Sequence, residues 1–152
     1  MMRKIGIMTL NGYYNYGNRL QNYALQESLK FLGFVVETII NRRTPKKTKF
    51  IKRIHNLGTN SYKEIYIKAY NKTWRKIRKK SIVKRTENFK EFTLNYINET
   101  NYFISENNIP KNLSDRYDYF VTGSDQVWNP VNTLGSSIFF LTFAEKHKRI
   151  AY

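Results

Sequence analysis

The chain has 152 residues and a formal net charge of +16, and aromatic residues make up 16% of it. This length suits one domain with a sizeable core, and the aromatic content argues against a disordered chain. The sequence contains no Cys, which excludes disulfides, thiolate metal sites and Cys nucleophiles and fits a reducing cytosol.

The first forty residues predict a strand, a helix and a second strand. Residues 3–9 (RKIGIMT) predict a short strand, and a Gly-, Asn- and Tyr-rich loop follows it. Apolar residues then recur at three- and four-residue steps, which predicts a helix over residues 18–32. Residues 34–40 (FVVETII) are typical of a strand buried on both faces, so we expect a right-handed βαβ unit with parallel strands. The capping candidates are Asn15 or Asn18 at the start of the helix and Gly33 at its end.

The positive charge is concentrated in one segment. Residues 42–90 hold 18 Lys and Arg against Glu64 and Glu87, whereas the rest of the chain holds nine basic and nine acidic residues. Apolar residues within this segment fall on one helical face, and basic residues share another. We therefore expect one α/β domain over residues 1–152, with a basic helical insertion at about 42–97.

The last third of the chain predicts a third strand followed by a polar loop. A second helical pattern runs through Phe89, Phe92 and Tyr96. Residues 118–123 predict the strand, and they lead into GSDQVWNP at 123–130. The final residues, KRIAY, predict the start of another strand.

Two polar loops are expected to face one crevice. In an open parallel sheet, ligands bind beyond the carboxyl ends of the strands, where both LNGYYNYGN and GSDQVWN would lie. The start of the helix near Asn18 offers an anion site, and Asp125 offers a carboxylate. Alternatively, both loops are plain turns, in which Asp125 caps the backbone and Trp128 packs in the core. His55 and His147 have no partners at metal-ligand spacing, so no metal site is predicted.

Two sequence runs carry a resemblance to a known family. NYGNRLQNYAL (15–25) and GSDQVWN (123–129) resemble the N-terminal half of the polysaccharide pyruvyl transferase family, in order and separation as well as in residues. The resemblance implies two Rossmann-like domains like those of glycosyltransferase-B enzymes, the second of which is absent from this chain. It also implies transfer of pyruvate as a ketal from phosphoenolpyruvate, the donor substrate, to a glycan sugar in cell-surface polysaccharide synthesis. No further cofactor is expected.

The same resemblance suggests roles for individual residues. Ketal formation needs a proton for the enol carbon and stabilisation of a cationic centre, and a carboxyl group can supply either. Asp125 is therefore the predicted catalytic residue. The predicted substrate-binding residues are Asn15, Tyr16, Gly17, Asn18 and Gln21 in the first part of the chain, and Gly123, Ser124, Gln126 and Trp128 in the second.

The basic segment leaves several partners open. Its charge and interleaved aromatics are also typical of nucleic-acid-binding proteins, although no recognised nucleic-acid motif is present. A basic helix with an apolar stripe equally suits an anionic membrane surface through residues 42–90, and acceptors in glycan assembly are often lipid-linked. The simplest alternative is a solvated helical face. Because no stretch approaches the roughly 18 apolar residues of a spanning helix, we expect a cytoplasmic protein, at most peripheral to the membrane.

Overall fold

The computed structural model describes residues 2–42, 70, 78–123, 126–129 and 136–152. The chain divides into two compact units, Met1–Thr44 with Phe89–Tyr152, and Pro45–Asn88. The predicted insertion at about 42–97 stays a prediction. The helices are α1 (Tyr16–Phe31) and α2 (Lys79–Tyr96), and the strands are β1 (Lys4–Met8), β2 (Val35–Asn41), β3 (Glu99–Ile104), β4 (Tyr119–Thr122) and β5 (Arg149–Ala151).

The five strands form one parallel sheet in the order β3-β2-β1-β4-β5. Strand β1 lies at the centre, with Lys4 opposite Val35 of β2 and Ile5 opposite Tyr119 of β4. The chain therefore moves outward through β2 to β3 on one side, then returns to add β4 and β5 on the other. This arrangement confirms the predicted α/β, Rossmann-like fold class and the three predicted strands, and it puts a topological switch point between β1 and β4.

Helix α1 covers one face of the sheet. Its inner residues Leu25 and Leu29 pack against a cluster of strand residues that includes Ile5 and Val36. The Asn15 side chain caps the helix by accepting a hydrogen bond from the backbone N–H of Gly17 at 2.9 Å. Gly33 follows the helix with φ of +86°, the left-handed conformation of a C′ glycine. The predicted helix, its Asn15 cap at the start and its Gly33 at the end are thus confirmed, with bounds shifted by one or two residues.

The opposite face of the sheet carries the larger apolar core. Strand residues such as Ile39 and Phe120 pack there against Tyr117, which precedes β4, and against Ile138 and Phe139 of a short 3₁₀ helix, Ile138–Phe140. Both faces are therefore covered, as parallel sheets require.

Candidate functional site

The loops that follow β1 and β4 begin at the same edge of the sheet. Strands β1 and β4 are parallel neighbours, and Met8 near the end of β1 lies opposite Thr122 at the end of β4. The chain leaves β1 at Thr9 and β4 at Gly123. Of the predicted site residues in the second loop, Ser124 and Asp125 lie outside the described residues.

The start of α1 is a positive helix end. The first turn of the helix contains no acidic residue, so the partial positive charge of the free N–H groups is not offset within the helix. Asn15, Tyr16 and Gly17 are exposed here. The Asn15 side chain satisfies the Gly17 N–H, while the backbone N–H of Arg19 donates to the Asn15 carbonyl at 3.4 Å. The remaining N–H groups of this turn can bind an anion.

Asn18 is the most unusual of the predicted binding residues. It is only 5% exposed, whereas its neighbours Asn15, Tyr16 and Gly17 are exposed. Asn18 lies one helical turn before Asn22, whose carboxamide oxygen accepts a hydrogen bond from Thr38 of β2 at 2.9 Å, so both lie on the side of α1 that faces the sheet. Gln21 is half-buried beside them. The binding role predicted for Asn18 and Gln21 stays a prediction.

Tyr16 lies on a different side of α1. Its ring is 4.2 Å from the ring of Phe89 in α2, centroid to centroid. Phe89 is buried, so this contact contributes to packing between the two helices. The substrate-binding role predicted for Tyr16 remains a prediction, and the contact with α2 is the role that its geometry supports.

The second loop begins with a glycine that no other residue could replace without strain. Gly123 is buried, with φ of +142°, and a Cβ atom added there would lie 2.5 Å from the carbonyl oxygen of Tyr152. The backbone N–H of Tyr152 in turn donates to the Thr122 carbonyl at 3.3 Å. Gly123 thus allows β4 and the residue after β5 to pack closely at the start of the loop.

The Trp128 side chain in the rest of the second loop is exposed to solvent. Gln126 forms a turn with Asn129, whose backbone N–H donates to the Gln126 carbonyl at 3.1 Å and whose carboxamide donates to the Gln126 side chain. Val127 is buried in the core, whereas Trp128 is 46% exposed. The alternative that Trp128 packs in the core is therefore wrong, because Val127 occupies that position.

A buried ion pair that the sequence did not reveal lies beneath the first loop. Arg19 is 1% exposed; its Nη1 atom is 2.9 Å from Oε1 of Glu99 in β3, and its Nη2 atom donates to the Leu10 carbonyl at 2.9 Å. The Tyr13 ring lies 6.0 Å from the guanidinium. Burial raises the pKa of Tyr13, and the nearby Glu99 carboxylate raises it further. Arg19 thereby fixes the first loop to the body of the domain.

The first loop is also attached to the end of β2. The Asn41 carboxamide donates to the Thr9 carbonyl at 2.7 Å and to the Asn11 side chain. Three buried donors near this loop and the adjoining α1 have no acceptor among the described residues: Asn11 Nδ2, Arg19 Nε and Asn22 Nδ2. Unsatisfied buried donors are uncommon in folded proteins.

The fold and the two loops define a Rossmann-like α/β protein with polar residues at its switch point. No protein-family model, curated protein or solved structure matches this chain. No helix in the described ranges has the length and apolar character needed to cross a bilayer. Within the same ranges, no cluster of three or more His, Asp or Glu side chains could hold a metal ion.

Replacing Gly123 is expected to disturb the loop start. Gly123→Ala should lower the free energy of unfolding by about 1–3 kcal/mol, because the backbone conformation is unfavourable for Ala and the new methyl group overlaps Tyr152. Urea denaturation measures the change. Gly17→Ala is the matched control, since its Cβ atom would meet only the Asn15 side chain, at 3.2 Å. Equal stability of both variants would contradict the close packing at Gly123.

Proposed function

We propose that the protein is a polysaccharide pyruvyl transferase-like enzyme. It transfers pyruvate as a ketal from phosphoenolpyruvate to a sugar of a cell-surface glycan. The observation that carries this proposal is the common origin of the two loops: the runs that resemble the family, at Asn15–Leu25 and Gly123–Asn129, begin beyond adjacent parallel strands. Residues more than a hundred positions apart in sequence can then act on one substrate.

The start of α1 supports an anionic donor. The helix end, which has no acidic residue in its first turn, suits a carboxylate or phosphate group. Phosphoenolpyruvate carries both groups on three carbons. The Arg19 side chain is not itself a ligand in this proposal, because Glu99 and the Leu10 carbonyl already hold it.

The chemistry assigned to the second loop is proton transfer and charge stabilisation. Asp125 delivers a proton to the methylene carbon of the enol while a sugar hydroxyl oxygen bonds to the adjacent carbon. A second hydroxyl of the same sugar then forms the other C–O bond as the bond to phosphate breaks, and the two hydroxyl protons leave to a base or to water. Ser124 and Gln126 hold substrate oxygens, and the exposed face of Trp128 provides a wall for the sugar.

The proposal is tested with the protein produced from its complete gene. Phosphoenolpyruvate labelled with ¹³C in its methylene carbon is incubated with free and lipid-linked glycan acceptors. We expect release of one phosphate for each labelled ketal that appears on the acceptor, detected by NMR and mass spectrometry. Phosphate release without label on any acceptor would indicate a phosphatase instead. If none of the acceptors reacts, the proposal that phosphoenolpyruvate is the donor loses its support.

We further propose a peripheral location at the inner face of the membrane through residues 42–90. In the described part of this segment, Lys79, Lys80, Lys84 and Arg85 of α2 are exposed, and Ile82 and Val83 between them are half exposed. An anionic lipid surface attracts such basic residues by about 1 kcal/mol each.

This location predicts the behaviour of a charge-neutralised protein. Changing the four basic residues Lys79, Lys80, Lys84 and Arg85 to Gln should weaken salt-sensitive binding to anionic vesicles, measured by co-sedimentation. Tighter, salt-dependent binding of the parent protein to oligonucleotides would favour the nucleic-acid alternative instead.

A further inference from the structure

The amino-terminal edge of the sheet exposes large apolar side chains. Phe31, the last residue of α1, is 91% exposed, and Leu32 and Met2 are exposed over most of their surface. Gly33 turns the chain from Leu32 towards Val35, which begins β2 and is exposed as well. Met2 and Val35 line the same depression, of about 440 Å³. We call Met2, Phe31, Leu32 and Val35 the edge patch.

The exposed side chains of the edge patch indicate an interaction surface. Apolar side chains exposed singly are normal, but several together mark an interaction surface. The edge patch combines the end of a helix with the start of a strand, so these side chains project from rigid elements. Their exposure also costs free energy in water that a suitable partner would recover.

Phe31 and Leu32 line one depression with Glu27, Ser28 and Lys30, and basic side chains line the depression of Met2 and Val35. Arg3, Lys4, Arg116 and Lys148 line the depression together with Asp115 and Asp118. Lys4 is neutralised by Glu37, 2.8 Å away. Arg116 and Lys148 are instead held by neutral groups, the Asn112 carboxamide at 3.1 Å and the Ser114 carbonyl at 2.9 Å. Within the described ranges neither of these two cations has a carboxylate partner, and Arg3 adds a third cation, whose hydrogen bond goes to the Tyr119 hydroxyl at 3.4 Å.

The two carboxylates that line the depression do not offset the charge of Arg3, Arg116 and Lys148. One oxygen of Asp118 accepts a hydrogen bond from the Lys4 backbone N–H at 2.7 Å, so this group has a structural role. Asp115 lies exposed on the short 3₁₀ helix Ser114–Arg116. A surface with apolar side chains and an excess of positive charge is complementary to lipid headgroups that carry a phosphate.

We propose that the amino-terminal edge of the sheet docks on an anionic membrane surface. Phe31, Leu32 and Met2 enter the boundary between headgroups and acyl chains, while Arg3, Arg116 and Lys148 contact lipid phosphates. The positive charge at this edge favours a membrane over a second copy of the chain, since pairing two edge patches would bring the same cations together. The proposal does not depend on the transferase activity. It leaves the loops at the carboxyl edge open to solvent, because they lie at the other ends of the strands.

The test is co-sedimentation with vesicles of phosphatidylglycerol and phosphatidylcholine, compared with phosphatidylcholine alone. Phe31→Ser with Leu32→Ser should weaken binding to the anionic vesicles about ten-fold or more, because burial of one such side chain contributes at least about that factor. Arg116→Gln with Lys148→Gln should weaken it by about five-fold per residue and flatten its salt dependence. Thermal melts check that each variant is folded.

The matched controls make the same chemical changes elsewhere in the same unit. Leu94→Ser alters an apolar side chain of α2 that is 84% exposed, and Lys111→Gln removes an exposed charge that does not line the depression. Both controls should bind like the parent protein.

Three outcomes would overturn the proposal. Edge variants could bind like the parent while the Lys79, Lys80, Lys84 and Arg85 variant loses binding, which would assign docking to the basic segment alone. Equal binding of the parent to neutral and anionic vesicles would remove the role of charge. Sedimentation velocity could also show a dimer that only the Phe31 and Leu32 variant dissociates, with vesicle binding unchanged, which would assign the edge patch to self-association.

Discussion

Glu99→Ala is expected to lower the free energy of unfolding by about 3–5 kcal/mol. The substitution leaves Arg19 charged and buried, because its Nη1 atom loses the carboxylate 2.9 Å away and the guanidinium is 1% exposed. Removing one partner of a buried ion pair has a cost of this size. Since domains are stable by only about 5–15 kcal/mol, the variant should approach the limit of folding. Urea denaturation measures the loss.

Two comparisons separate the buried charge from the loss of packing. Glu27→Gln removes the charge that pairs with Lys30 but keeps a side-chain oxygen for the Gln26 carboxamide, and it should leave the denaturation midpoint nearly unchanged, because exposed pairs contribute little. Arg19→Met combined with Glu99→Leu removes both charges, and we expect it to regain most of the lost stability. If the double variant is no more stable than Glu99→Ala, the loss comes from the Leu10 carbonyl or from packing, and the charge argument fails.

The elements that could be predicted from sequence are those whose signals are local. Helix α1 has its apolar spacing, its Asn15 cap and its Gly33 terminator within twenty residues, and β2 is rich in β-branched apolar residues. Strand β5 was also expected from the KRIAY run. These local signals identify the elements without a distant partner, although the buried residues of α1 are the polar Asn18, Arg19, Asn22 and Gln26, whereas Leu20, Phe31 and Leu32 are exposed.

Strand β3 could not be predicted because its signals are tertiary. Its buried residues include Thr100 rather than an unbroken apolar set, and its pairing with β2 shifts register between Thr38 and Ile40. The Thr100 hydroxyl accepts from the Ile40 N–H at 3.1 Å and donates to the Tyr102 carbonyl at 2.7 Å. A Thr whose hydroxyl forms both of these hydrogen bonds can be buried. The hydrogen bond to Ile40 depends on the neighbouring strand, so the sequence of β3 alone does not indicate it.

The buried ion pair was missed for the same reason. Arg19 lies 80 residues before Glu99, in a first turn where a basic residue is unfavourable for the helix dipole. That mismatch is the one local signal that Arg19 has a distant acidic partner. The polar character of the two loops was predictable because it depends on consecutive residues. The burial of Asn18 depends on the assembled sheet, and the packing of Tyr16 on Phe89 depends on α2.

Asp125→Asn is expected to lower the rate of phosphate release from phosphoenolpyruvate by about 10²–10⁴-fold, the contribution typical of a general acid or base. The amide is nearly isosteric with the carboxyl group but cannot deliver a proton, and it has no negative charge to stabilise a cationic centre. Binding of the acceptor should change little, since Gln126 and Trp128 are retained. The assay measures phosphate and labelled ketal at saturating donor, with the protein from the complete gene.

Asp115→Asn is the matched control, because this carboxylate is exposed on the 3₁₀ helix before β4, away from the carboxyl edge. It should keep the parent rate. The pH profile adds a readout that a structural role would not move: loss of the proton donor removes one limb of the profile, whereas loss of a turn cap lowers the melting temperature and leaves the profile intact. An Asn variant at position 125 that melts normally and releases phosphate at the parent rate would show that Asp125 only caps a turn.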